Sequence, residues 1–149
     1  MDSPVIEAAG TFLRGLQAHD IEAALSAVAA DALISIPPAG VQGIVATTGR
    51  RFLQDTLLAF PDLTITVARW FVVVPDTLVA EVTFEGTQAA DYLGMVNQEK
   101  HVDVDQVWIL RGSATGITHI KALWDMTQLY RRLAVKRLDA VDIVSAGRG

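Results

Sequence analysis

Cysteine is absent from the chain, which removes disulfides, thiolate nucleophiles and cysteine-based metal sites together. A reducing, cytoplasmic setting is the localisation expected on that ground. Long apolar runs are absent as well. A membrane-spanning helix needs about 18 consecutive apolar residues, and the longest candidate here, Trp70 to Val74, is strand-sized. Residues Met1 to Gly10 lack a basic region followed by an apolar core, so no secretory signal is expected. Positive charge is scarce. The net charge is −5, whereas nucleic-acid binding normally leaves a basic footprint. The one basic cluster, Arg131, Arg132, Lys136 and Arg137, has helical spacing and reads as a solvated helix face. Neither a glycine-rich phosphate loop nor zinc-ligand spacing occurs.

What the chain has instead is apolar content. Of its 149 residues 51% are hydrophobic and only 19% charged, and the mean hydropathy is +0.35. That supports a substantial core in one domain, expected over residues 1–140, with 141–149 as a tail. It also exceeds what a small soluble domain needs for a core alone. The surplus is expected either to line a cavity or to be buried against another subunit.

Val5, Ile6, Ala9, Phe12, Leu13 and Leu16 form one helical stripe. Asp20 is a good N-cap for a second helix beginning at Ile21. Ala32 to Ile36 reads as a short strand stopped by Pro37-Pro38. A loop follows to Gly43, and Ile44 to Phe60 reads as a third helix, with Phe52, Leu57 and Phe60 near one face. From Leu63 the period changes. Leu63–Val74, Thr77–Thr87, His101–Leu110 and Ile117–Asp125 are β-branched and alternate in places, predicting antiparallel strands. A final helix is expected from Thr127 to about Leu138. Helices first and a long antiparallel sheet afterwards is an α+β plan. Three helices cover such a sheet only if it curls around them, which leaves a pocket between.

Several strings in this order resemble the SnoaL-like polyketide cyclases, within the nuclear transport factor 2-like superfamily. They are Ala59-Phe60-Pro61-Asp62-Leu63, then Val82-Thr83-Phe84-Glu85-Gly86-Thr87, and Trp124-Asp125 leading into Gln128-Leu129, with the early Ala18-His19-Asp20. The resemblance covers about residues 5–135. It implies a cone-shaped roll, a curled antiparallel sheet against three N-terminal helices enclosing a pocket, in a homodimer or higher homo-oligomer. It implies chemistry without metal or organic cofactor on a small apolar or polyketide-like substrate. In these cyclases an aspartate near the end of the last strand is the general acid/base of an aldol ring closure, and Asp125 matches that position. The chain departs from the family pattern at Gln88, Trp108 and His119, where histidine, a polar residue and glutamate are usual. Relatives on this scaffold also open epoxides or only bind ligands, and the fold alone does not choose among these.

Strand alternation puts His119, Lys121, Leu123 and Asp125 on one face, and Ile120, Ala122 and Trp124 on the other. An Asp125 carboxylate in an apolar pocket would be tuned toward proton transfer. The competing reading is a cap on the helix beginning near Thr127. His119 is the second catalytic candidate, although six residues of strand, about 20 Å, separate it from Asp125. His101, Asp103 and Asp105 share a face but stand about 7 Å apart in succession, too far for one metal centre. Gln106 and Trp108 fall on the opposite, apolar face. A buried amide needs a partner, and a ligand oxygen is one. Tyr92, expected at the pocket mouth, could donate to a developing oxyanion. With Trp124 and Phe60, these three complete the expected substrate-binding set.

Overall fold

The computed structural model describes residues 3–73 and 75–134. Helix α1 (Pro4–Gln17) starts where Ser3 caps it and Pro4 occupies its first turn, a position where the missing N–H costs nothing. The stripe read from the sequence, Val5, Ala9, Phe12, Leu13 and Leu16, is buried. The chain reverses at His19, whose φ of 57° is left-handed. Asp20 then caps α2 (Ile21–Leu25) by accepting the Ala23 N–H at 2.9 Å. The two helices approach closely because position 15 is glycine: a Cβ there would stand 2.4 Å from the Ala24 nitrogen. The His19 ring bonds the Leu63 carbonyl at 2.7 Å, tying the hairpin to the sheet.

Strand β1 (Val28–Ile36) is followed by a 3-10 turn over Pro37–Ala39, then β2 (Val41–Ile44). A π-helical turn (Val45–Gly49) leads into α3 (Arg50–Ala59). The long strands are β3 (Thr64–Val73), β4 (Thr77–Thr87), β5 (His101–Ser113) and β6 (Gly116–Trp124), followed by α4 (Met126–Leu133). One six-stranded sheet runs in the order β2-β1-β6-β5-β4-β3. Register shifts in β3, in β6 against β5, and at the start of β1 supply the local bends by which a sheet curls.

Two features differ from the sequence reading. The segment read as loop and helix start contains β2, which pairs antiparallel with β1. At four residues with a glycine inside it shows no alternation to find. The sheet is also not wholly antiparallel, because β1 and β6 run parallel. Those two strands are joined through the rest of the domain, so no turn sets their direction. The expected end of the last helix near Leu138, the basic residues Lys136 and Arg137, and the tail lie outside the described residues.

The inner face of the sheet carries Leu78, Ala80 and Val82 of β4, Trp108 and Leu110 of β5, and Ile120 and Ala122 of β6, all buried. Helix α1 packs on it through Phe12, whose ring centroid lies 6.0 Å from that of Trp108. On the other side Trp108 stacks with Phe84 at 6.1 Å. At about 1.5–3 kcal/mol for each large apolar side chain fully buried, this layer dominates the stabilisation. The outer face is not similarly covered: Leu33, Phe71, Val73 and Leu123 are exposed.

Candidate functional site

The interior of the curled sheet does not hold a roomy pocket. Its cavity is about 20 Å³, space for about one water molecule. Phe60, Phe84, Val104 and Leu129 line it, together with four residues that carry polar groups, Thr56, Tyr92, Gln106 and Trp124. The space is filled by an aromatic cluster. Phe52 packs on Tyr92 at 6.5 Å and on Trp124 at 6.4 Å, and Phe60 meets Tyr92 edge-on at 5.2 Å. Phe52 and Tyr92 also line an open groove of about 390 Å³ between α3 and the loop after β4, with Arg51, Asp55 and Asp91 at its rim. Tyr92 lines both the groove and the cavity, and Phe52 packs on it from the groove side, so the pair is the partition between the two.

Tyr92 is held in that partition by a tight turn. It exchanges two backbone hydrogen bonds with Met95, at 3.0 and 2.8 Å, across Leu93 (φ 49°) and Gly94 (φ 79°). Two successive positive φ angles suit a two-residue hairpin turn, and Gly94 supplies one without steric cost. The phenol oxygen lies 2.9 Å from Thr56 Oγ1. The Thr56 hydroxyl already donates to the Phe52 carbonyl at 2.9 Å, so Tyr92 is the donor between them. Burial pushes the Tyr92 hydroxyl up to about 12; near neutral pH the group is a phenol, not a phenolate.

Gln106 is oriented in the same way by a single-minded neighbour. The indole N–H of Trp108 can only donate, and it donates to Gln106 Oε1 at 2.9 Å. That fixes the amide's rotation and leaves its NH2 group as the end available to a ligand. Trp108 itself is 1% exposed and packs in the core. It does not line the cavity, contrary to its expected role as a substrate contact, because its ring fills the space between Phe12 and Phe84. The Trp124 indole N–H is buried and has no hydrogen-bond partner among the described residues; Gln88 Oε1 is in the same state.

The two residues expected to handle protons are elsewhere. Asp125 is exposed, and its Oδ1 accepts the N–H groups of Thr127 at 2.9 Å and Gln128 at 3.3 Å. It is the N-cap of α4, so the buried carboxylate in an apolar pocket is corrected to a surface carboxylate in a cap. The cause is strand alternation: Trp124 points in and the next side chain points out. His119 lies on the outer face with Lys121 and Leu33, its Nδ1 3.0 Å from Thr118 Oγ1. The sheet separates it from the interior. The acidic and histidine residues of β5 also face outward and have local partners. Asp103 meets Arg132 at 2.7 Å, Asp105 accepts from Thr83 at 2.9 Å, and His101 lies 3.1 Å from Thr87. Among the described residues no three of His, Asp or Glu come close enough to hold a metal, and no helix is long and apolar enough to cross a membrane.

Of the expected substrate contacts, the structure brings Phe60, Tyr92, Gln106 and Trp124 to one cavity. Sequence reasoning missed Thr56 and the partition role of Phe52. A signal existed: Thr56 is a polar residue on the apolar stripe of α3, one turn from both Phe52 and Phe60.

A model of the SnoaL-like polyketide cyclase family matches residues 6–133. Among solved structures, a candidate SnoaL-like polyketide cyclase from Jannaschia sp. CCS1 superposes with a TM-score of 0.78 at 16% identity, covering 92% of this chain and 98% of that one. Wild-type IdmH, a candidate polyketide cyclase from Streptomyces antibioticus, gives 0.74 at 20% identity over 90% and 100%. AclR, a candidate hydroxylase from Streptomyces galilaeus, gives 0.74 at 16% over 85% and 92%. At these identities the structures share the fold. No curated protein matches the sequence significantly.

Proposed function

Because the chain belongs to the SnoaL-like polyketide cyclase family, we propose that it is a cofactor-independent cyclase that closes a ring in a small, largely apolar, polyketide-type intermediate. The observation that carries the reading is the interior cavity. Its walls are aromatic and aliphatic, and residues that carry a phenol, an amide and an indole are among those that line it. Such walls hold a flexible chain in a folded, near-attack geometry, and that is where much of the barrier to ring closure is removed. The present cavity is too small for such a chain, so binding requires the Phe52–Tyr92 partition to yield.

The reaction is an intramolecular aldol closure. Asp125 takes the proton alpha to one carbonyl. The resulting enolate carbon bonds to a second carbonyl carbon, whose oxygen becomes an alkoxide, and the proton returns to that oxygen. Asp125 directly follows cavity-lining Trp124 in the chain. Its Oδ1 is held by the two N–H groups of α4, and no hydrogen bond engages Oδ2 among the described residues. The substrate then spans from the interior to the rim.

A second reading, a ligand-binding module without catalysis, is favoured by one observation: no carboxylate lines the cavity among the described residues. The two readings part on one experiment. Asparagine caps a helix as well as aspartate does but does not transfer the proton. Conversion of a linear 1,5-diketone to its 3-hydroxycyclohexanone is expected to fall by roughly 10²–10⁴-fold in Asp125→Asn, with the thermal transition unchanged. Equal turnover in the two proteins rejects Asp125 as the acid/base, and no turnover above buffer in either rejects the cyclase.

A further inference from the structure

Two residues that line the cavity carry hydrogen-bond capacity that the protein does not use. Trp124 Nε1–H is buried without a partner. Gln106 spends its carbonyl oxygen on Trp108, and its NH2 group makes no hydrogen bond among the described residues. These residues stand directly opposite each other in the β5–β6 ladder, where paired Cβ atoms lie about 4.5–5.5 Å apart. Both line the same cavity. Both free groups are donors, since an indole cannot accept and the only acceptor of Gln106 points at Trp108.

We infer that Gln106 Nε2 and Trp124 Nε1 form a two-donor cradle for one oxygen of the ligand, a carbonyl in the ground state and an enolate or alkoxide as charge develops. The inference rests on the interior site proposed above and not on ring closure. It names the ligand's chemistry: an acceptor oxygen attached to an apolar body, with the oxygen at the β5–β6 side. A buried donor left unpaired is costly, so the Trp124 N–H in particular is held ready for an acceptor. Two donors converging on one oxygen also stabilise negative charge more than they stabilise a neutral carbonyl, which is the property of an oxyanion hole. Trp108 is then a positioning residue. It touches no ligand, but it prevents the amide from flipping and presenting its oxygen.

The test compares two probes of one shape, acetophenone and alpha-methylstyrene, which differ in a carbonyl oxygen against a methylene. In the unmodified protein, titration followed by the indole N–H resonances is expected to show the ketone binding about five-fold tighter or more. The Trp124 resonance moves with the ketone and not with the alkene. Trp124→Phe removes one donor and Gln106→Glu replaces the NH2 while keeping the acceptor for Trp108; each is expected to shrink the preference. Equal affinity for the two probes, no binding of either, or a preference retained in both variants overturns the inference. The probe comparison needs no variant, so it stands even if one fails to fold. A diketone that does not cyclise while the ketone preference persists would reject ring closure and leave the cradle intact.

Discussion

Replacing Gln106 by leucine tests the most consequential hydrogen bond of the interior. The substitution leaves an apolar side chain one atom shorter and removes the only acceptor of the Trp108 indole among the described residues, which lies 2.9 Å from the indole nitrogen. Trp108 is 1% exposed, so water does not take the acceptor's place. A buried donor orphaned in this way costs about 1–3 kcal/mol. The added apolar surface of leucine offsets part of that cost, so the single variant is ambiguous by itself. A double-mutant cycle with Trp108→Phe removes the ambiguity. Phenylalanine has no N–H to orphan, and the losses of ring contact with Phe12 and Phe84 appear in both halves of the cycle and cancel. Gln106→Leu is therefore expected to cost about 1–3 kcal/mol more in the native background than beside Phe at position 108. At roughly 2–4 °C per kcal/mol for a domain this size, that is a difference of about 2–12 °C. Urea unfolding followed by fluorescence measures it, with an unchanged denaturant slope confirming that only stability moved. Equal costs in the two backgrounds would falsify the assignment of the amide's rotation.

Three further outcomes follow from named groups. Tyr92 ionises at about 12 when folded and at about 10 when unfolded, so the folded state holds the proton more tightly. The associated stability is present below pH 10 and is lost as pH rises through 12, by about 3 kcal/mol at most. The pH dependence of stability in Tyr92→Phe should lack that alkaline loss; an unchanged alkaline slope would show that the hydroxyl is not buried. Asp125→Ala removes the cap of α4 and is expected to cost about 1 kcal/mol, whereas Asp125→Asn costs a few tenths or less; thermal melts that rank them the other way contradict the cap. On edge strand β3, Trp70 and Phe71 are 52% and 47% exposed on opposite faces, an apolar edge of the kind that pairs with another chain. If that edge is the contact of a homodimer, Phe71→Lys yields monomer in light scattering of a protein otherwise dimeric; a dimer unaffected by the change places its contact elsewhere.

The fold was largely legible because its long elements carry strong periods. The stripe of α1, the Asp20 cap and the whole of β4 follow from side-chain spacing. β2 was invisible because four residues around Gly43 show no period, and the parallel β1–β6 pairing because no local turn encodes it. For the site, the inward set of Gln106, Trp124 and Phe60 was readable from alternation and helix phase. The same alternation, applied one residue further, places Asp125 outside, and only its place in the family pattern argued for burial. The size of the cavity was not readable. It depends on how Phe52, Tyr92 and Trp124 share one volume, and that is a property of three elements far apart in sequence.

The most direct measurement of the central claim is a crystal structure with acetophenone bound. The ketone is expected inside the cone, its ring against Phe60 and Phe84, its oxygen within hydrogen-bond distance of Gln106 Nε2 and Trp124 Nε1, and the Phe52–Tyr92 partition displaced. A ketone bound instead in the open groove of about 500 Å³ on the outer face, beside Glu81, Asp105 and Leu123, with the interior unchanged, would contradict it.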